Sequence, residues 1–313
     1  MPGVLIIGGT RFLGLEITRL LAAGSHGPVY VLNRGLTSAS ASLPDRVQRI
    51  VCDVGNIPDL VSGVISLEPA IIIDTILNDA ALAKLLPSLG GWVKRFIHTG
   101  SIGVYGATDY LPARESDVPR PAFPSFRQKL AQDEVVTENV RDHGLPATIL
   151  RMSNIYGRGD VPLDLWGGRN PKFFRMLISG EEILLPGDGS PLLHTGHVSD
   201  LASAYVKCLE KPASIGEVYN IGGDRSITLS NWLQVIATAM GVKPRSKWTP
   251  IAKARRILVG GELTSEQGLS FLMNHMSVDI SKARAELGYQ PEVDLEDGMS
   301  ENIRWMRDRG IIE

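Results

Sequence analysis

Val4-Leu5-Ile6-Ile7 runs directly into Gly8-Gly9-Thr10-Arg11-Phe12-Leu13-Gly14, and a second apolar run, Val29-Tyr30-Val31-Leu32, ends in Asn33-Arg34. Each apolar run reads as a short buried strand, and Leu15–Ala23 between them reads as a helix. Strand, glycine turn, helix and second strand together form the unit that holds a dinucleotide. Glycine permits the tight turn and lets backbone approach a pyrophosphate, while the helix start near Phe12 points unpaired N–H groups at that anion. Gly8, Gly9, Thr10, Arg11, Phe12, Leu13 and Gly14 are therefore the expected phosphate-binding residues.

The end of the second strand selects the dinucleotide. An acidic residue there accepts hydrogen bonds from the ribose of NAD and repels a 2′-phosphate. This chain has Asn33 followed by Arg34, with Arg11 adding a second cation from the turn, so NADP(H) is the expected cofactor and NAD(H) the second choice. Asp53 and Val54, after the strand-like run Val47–Cys52, are placed to meet the adenine ring.

Further along, strand-like runs at Ala70–Asp74, Arg95–His98 and Ala147–Arg151 alternate with helical patterns at Ile57–Leu67, Ala80–Leu89 and Lys129–Arg141. Such alternation predicts an α/β fold, a Rossmann-like doubly wound parallel sheet. The proline-rich stretch Leu111 to Pro124 reads as a loop over the ligand-binding edge of that sheet. After Tyr156-Gly157 the pattern changes to glycine-rich loops and separate helices, with a helix from His197 and a strand at Val218–Ile221 returning to the sheet. The expected division is a dinucleotide-binding domain of residues 1–163 and 197–221, and a smaller interleaved substrate subdomain of residues 164–196 and 222–313.

The 313 residues carry a net charge of −2, which gives no global attraction to nucleic acid or membrane. The basic stretch Lys243 to Arg256 reads as solvated surface, and a nucleic-acid partner is not expected. Cys52 and Cys208 sit in apolar runs and read as reduced core residues; with no signal-peptide pattern or bilayer-length apolar run, the expected setting is the cytoplasm. No spacing of His, Cys or carboxylates suits a metal.

With these motifs in view, the chain resembles the extended short-chain dehydrogenase/reductase family, in its NAD(P)-dependent epimerase/dehydratase branch. Gly8–Gly14 is similar to the TGGxGFIG loop, with Arg11 in place of the middle glycine. Ser101-Ile102-Gly103-Val104-Tyr105-Gly106 resembles the SSxxVYG segment, and Arg151 to Gly157 resembles RxxNVYGPG. Gly187-Asp188-Gly189, His197-Val198-Ser199-Asp200-Leu201 and Asp279 to Ala283 resemble the GDG, HVxDLA and DxSKA motifs.

The resemblance implies a catalytic serine at Ser101, a nicotinamide-ribose lysine at Lys129, and homodimerisation through the helices near residues 80–90 and 129–141. It also marks two departures. The family's YxxxK tyrosine position holds Ser125, an alcohol too weakly acidic to replace a phenol as general acid–base. Leu193 stands where sugar-nucleotide enzymes place a diphosphate-binding arginine. Both resemble atypical members, chloroplast stem-loop-binding proteins among them. Tyr105, with Tyr110 in the loop, is the nearest phenol to stand in for the missing one, and Asn154, Arg169, Asn170 and Phe173 are the expected substrate-side residues. The resulting expectation is an NADP(H)-dependent epimerase/dehydratase- or reductase-type oxidoreductase acting on a polar hydroxyl- or carbonyl-bearing small molecule. The alternative is an NADP-binding protein without redox activity: a sensor, a scaffold or an RNA-associated protein.

Overall fold

Val4–Ile7, four aliphatic residues with no solvent exposure, form an interior strand of a seven-stranded sheet. The computed structural model describes residues 3–35 and 43–313. Its strands are β1 (Val4–Ile7), β2 (Val29–Asn33), β3 (Val47–Val51), β4 (Ile71–Asp74), β5 (Arg95–Ser101), β6 (Ala147–Met152), β7 (Asn154–Tyr156), β8 (Ile183–Pro186), β9 (Leu192–Leu193), β10 (Thr195–His197), β11 (Val218–Ile221), β12 (Ile227–Thr228) and β13 (Ser246–Thr249). The α-helices are α1 (Phe12–Ala23), α2 (Ile57–Leu67), α3 (Asp79–Leu85), α4 (Pro124–His143), α5 (Pro171–Ser179), α6 (Val198–Leu209), α7 (Leu229–Met240), α8 (Ile251–Leu258), α9 (Glu266–Leu272) and α10 (Leu295–Asp308).

The large sheet runs in the order β3-β2-β1-β4-β5-β6-β11, and every pairing in it is parallel. Val4 pairs Val29 on one side and Ile71 on the other, so the strand order reverses between β1 and β4. Ligands bind at such a switch point, beyond the carboxyl ends of the strands. Leu13, Ile17 and Leu21 of α1 pack with Leu201 and Tyr205 of α6 on one face, while Leu60, Val64, Leu82 and Val136 cover the other. A separate core around Trp166, Phe173, Phe174 and Trp232 lies under β8, α5, α7 and α10.

Two local features differ from the sequence reading. α4 begins at Pro124, with proline at the start of its first turn, rather than at Lys129. Proline is pre-organised for that position, so the loop ends one turn earlier than its composition indicates. Cys52 is half-buried at the end of β3, not in the core, because β3 is the edge strand of the sheet; Cys208 is buried. Among the described residues no helix is long and apolar enough to cross a membrane.

Candidate active site

Gly8 turns the chain out of β1 with φ of +94°, a conformation that favours glycine. A Cβ on Gly8 would come 2.3 Å from Thr75 Oγ1, and one on Gly14 would come 2.2 Å from the Gly8 carbonyl oxygen. Gly9 is buried and faces inward, its carbonyl accepting from Thr18 Oγ1 at 2.8 Å. Arg11 is the helix N-cap with φ of −142°, extended backbone open to any residue, which explains how arginine replaces a glycine there. Its side chain makes no capping hydrogen bond, so the first-turn N–H groups of α1 meet no capping side chain. Phe12 takes φ of +44°, strain of the kind held at ligand-binding turns.

This loop forms one wall of a cavity of about 600 Å³. Thr10, Arg11, Phe12 and Leu13 line it from the turn, Asn33, Arg34 and Gly35 from the end of β2, and Cys52 and Val54 from the end of β3. Ser101 and Lys129 close its far end, and Gly159 and Asp160 lie across from the turn. The cradle fits a dinucleotide. A Cβ at Gly8 or Gly14 would collide with Thr75 or with the Gly8 carbonyl and displace the turn, the helix end directs N–H groups of the kind that bind a pyrophosphate, and Arg11 and Arg34 line the space.

At the far end, Lys129 Nζ donates to the Thr99 carbonyl at 3.3 Å and to Gln132 Oε1 at 2.9 Å. Ser101 Oγ accepts from the Gly103 N–H at 3.1 Å, which leaves its own hydroxyl hydrogen for the cavity. A second cavity of about 260 Å³ continues from this point, sharing Ser101, Met152, Ser153 and Ile155 with the first. Asn154 and Arg169 line the second cavity.

Several expected residues lie elsewhere. Ser125, four residues before Lys129 and one turn away on α4, is exposed; its Oγ accepts from Gln267 Nε2 at 2.7 Å, and it lines neither cavity. Phe126, its neighbour, does line the second cavity. Tyr105 is buried, donating to Asn220 Oδ1 at 2.8 Å and accepting from Arg151 Nη1 at 2.9 Å. Burial pushes its hydroxyl above the ordinary phenol range even with Arg151 beside it. Asp53 turns its carboxylate back to the Gly55 N–H at 3.0 Å. Asn170 caps α5 by accepting from the Lys172 N–H, and Phe173 is fully buried in the second core. No tyrosine lines either cavity among the described residues.

Residues that the sequence reading passed over complete the picture. Arg49 of β3 donates through Nε to Asn33 Oδ1 at 3.1 Å. Phe271 and Met276 come from the C-terminal third of the chain to line the second cavity. Beneath the cleft, Asp74 Oδ2 pairs with His98 Nδ1 at 2.8 Å, and Asp133 Oδ2 with Arg151 Nε at 2.9 Å. Burial alone would raise the Asp74 carboxyl, but the hydrogen bonds from His98 and from the Ile76 and Leu77 N–H groups outweigh it and hold it below the usual range. His194, on the wall of the second cavity, has both nitrogens engaged: Nδ1 accepts from the Val278 N–H at 3.2 Å, and Nε2 lies 2.9 Å from the Gly223 carbonyl. Its imidazole is held below the ordinary range by burial.

Comparison with known proteins agrees with this arrangement. The model of the NAD dependent epimerase/dehydratase family matches residues 74–222. The chain is 27% identical to the chloroplast stem-loop binding protein of 41 kDa b of Arabidopsis thaliana, over 98% of this chain and 80% of that protein. It is 26% identical to the dTDP-glucose 4,6-dehydratase of Streptomyces niveus, over 97% of this chain and 93% of that protein. Among solved structures, the dTDP-glucose 4,6-dehydratase of Streptomyces venezuelae with NAD bound superposes with a TM-score of 0.80 at 24% identity, covering 99% of both chains. The UDP-glucose 4-epimerase of Thermotoga maritima superposes with a TM-score of 0.78 at 21% identity, covering 98% of this chain and 99% of that one. In its motifs, its sheet order and these likenesses the chain is similar to the NAD dependent epimerase/dehydratase family, whose model matches its residues 74–222.

Proposed function

We propose that the protein is an NADP(H)-dependent oxidoreductase of the epimerase/dehydratase type, acting on a hydroxyl- or carbonyl-bearing small molecule held beside Ser101. The observation that carries this reading is the continuity of the two cavities at Ser101, close to Lys129. A ligand in the smaller cavity then meets the nicotinamide end of a dinucleotide in the larger one.

In this reading the glycine turn and the α1 N-terminus hold the pyrophosphate, Arg11 and Arg34 pair with the 2′-phosphate, and Lys129 binds the nicotinamide ribose. The bound nicotinamide supplies hydride chemistry. Ser101 donates its free hydroxyl hydrogen to the reacting oxygen. Lys129, fixed by Thr99 and Gln132, keeps a third N–H for the cleft and places positive charge beside that oxygen. With no phenol among the described residues of either wall, the proton comes from water in the cleft, ordered by Ser101 and Lys129. The same reading pictures residues 1–163 and 197–221 as the cofactor domain, with residues 164–196 and 222–313 closing over the substrate. It makes the protein a cytoplasmic homodimer paired through α3 and α4, which sedimentation velocity checks.

The experiment is a calorimetric titration with NADP⁺, NADPH and NAD⁺ on wild type and on Lys129→Ala, followed by an absorbance screen of carbonyl compounds with NADPH. Tighter binding of the phosphorylated cofactor, weakened in Lys129→Ala, supports the reading. NAD⁺ binding as tightly as NADP⁺ removes the cofactor assignment.

A further inference from the structure

The smaller cavity has walls of a kind that selects its occupant. Ile102, Phe126, Met152, Ile155, Phe271 and Met276 make most of its lining. The rings of Phe126 and Phe271 lie 6.0 Å apart, tilted by 48°, and Phe126 sits so close over Gly103 that a Cβ there would come 2.2 Å from its ring. No carboxylate lines the space among the described residues.

The polar groups are few, and most are already engaged. Arg169, the one arginine or lysine on this wall among the described residues, gives Nη2 to the Ile155 carbonyl at 2.9 Å and Nη1 to the Val161 carbonyl, with Asp160 Oδ2 3.6 Å from Nη1. Both nitrogens of His194 are occupied by backbone groups. What remains is the hydroxyl of Ser101 and the side chains of Ser153 and Asn154, whose Oγ and Oδ1 are buried without hydrogen-bond partners in the protein. That set serves one or two ligand oxygens. A hexose brings a ring of hydroxyls, and each one buried without a partner carries its full desolvation penalty. A diphosphate needs an unspent cation, and among the described residues none lines this space.

We propose that the group held beside Ser101 is an aryl carbonyl, a ketone or aldehyde on an aromatic ring, or the alcohol formed from it, and not a nucleotide-linked hexose. An apolar cavity of about 150 Å³ accepts benzene, and the 260 Å³ here leaves room for a ring with a short carbonyl side chain. The ring lies against Phe126, Phe271 and the two methionines, where aromatic and sulfur contacts favour a π-face. The carbonyl oxygen meets Ser101. In the reductive direction the carbonyl carbon takes a hydride, the C=O π bond opens to a C–O single bond, and the oxygen takes a proton from water. The reduced nicotinamide is the hydride source and leaves oxidised. The inference rests on the nicotinamide-cleft reading above.

Acetophenone and 4-methoxybenzaldehyde are the probes, with UDP-glucose and dTDP-glucose as comparators, each added to the protein saturated with NADP⁺. Saturation-transfer NMR reads binding independently of turnover, and NADPH absorbance reads hydride transfer separately. The expected result is that the aryl probes bind, that Phe126→Ser weakens them by about tenfold or more, and that Phe126→Leu keeps them within a few-fold. Thermal melts with and without NADP⁺ confirm that each variant is folded, and Phe271→Ser repeats the test at the neighbouring ring. Aryl binding without any change in the nicotinamide supports the cavity assignment and counts against hydride transfer alone. Failure of both aryl probes to bind overturns the proposal, as does displacement of them by the sugar nucleotides with turnover of the latter.

Discussion

The guanidinium of Arg49 donates through Nε to the side-chain oxygen of Asn33 at 3.1 Å, and the Gly35 N–H donates to the same oxygen at 2.8 Å. Two donors on Oδ1 fix which way the amide faces and leave Nδ2 as the group to offer a ligand. An aspartate here would accept from ribose hydroxyls; the pinned asparagine offers a donor, which suits a phosphate oxygen. Arg34→Asp is expected to weaken NADP(H) binding by about 1.5–3 kcal/mol, roughly ten- to a hundred-fold. Arg49→Leu frees the amide to turn and is expected to lower NADP(H) affinity relative to NAD(H). Calorimetry on the two variants checks both, and unchanged NADP(H) affinity in Arg34→Asp removes that residue from the site.

Lys129 and Ser125 separate cleanly. Lys129→Ala is expected to lower cofactor affinity and turnover together, because its ammonium lies in the cleft. Ser125→Ala leaves both nearly unchanged, because that hydroxyl is outside the cleft and bonded to Gln267. Equal losses in the two variants would make the serine part of the chemistry and contradict this division.

Backbone packing supplies a third comparison. Gly14→Ala drives a methyl group to within 2.2 Å of the Gly8 carbonyl, so the turn opens and cofactor-induced thermal stabilisation disappears. Gly63→Ala, inside α2 with nothing within 4 Å of its new methyl group, is expected to raise stability by about 0.5–1 kcal/mol. Thermal melts with and without NADP⁺ report on both.

Acid stability has two windows. The folded-state pKa of His194 is depressed by burial, so the folded protein takes up its proton less readily than the unfolded chain. Its contribution is complete above the ordinary histidine value of about 6.5 and declines as pH falls below it. The Asp74 pKa is also depressed, so its contribution persists through that range and is lost only below the ordinary carboxylate range. Melting temperature followed from pH 8 downwards is expected to begin falling just under the histidine value, and His194→Gln reduces that first decline, to which His197, also held below the ordinary range by burial, contributes the rest. A wild-type profile flat through that window would contradict the assignment.

The alternation of apolar runs and helical stretches made the parallel sheet legible, because buried strands and covering helices leave their periodicity in the chain. The glycine turn was equally plain, since Gly8 and Gly14 meet backbone constraints that other residues fail. Less was legible where the third dimension decides. Phe126 was missed because α4 starts inside what reads as a proline-rich loop, with Pro124 at its first turn. Phe271 and Met276 reach the cavity wall through tertiary packing and carry no local signal. Arg49 lies in an edge strand, and its role depends on the register that pairs Asn33 with Val51. Asn170 and Phe173 were expected at the cleft, but a helix cap and a core position claim them first.

The most direct measurement is deuterium transfer from NADPH labelled at the hydride-donating carbon, in a carbonyl-compound panel that includes the aryl ketones and aldehydes above. The account predicts deuterium on the former carbonyl carbon of a product, with equimolar NADP⁺ formed and both lost in Lys129→Ala. Stoichiometric, tight NADPH binding with no label leaving the cofactor across the whole panel would contradict it.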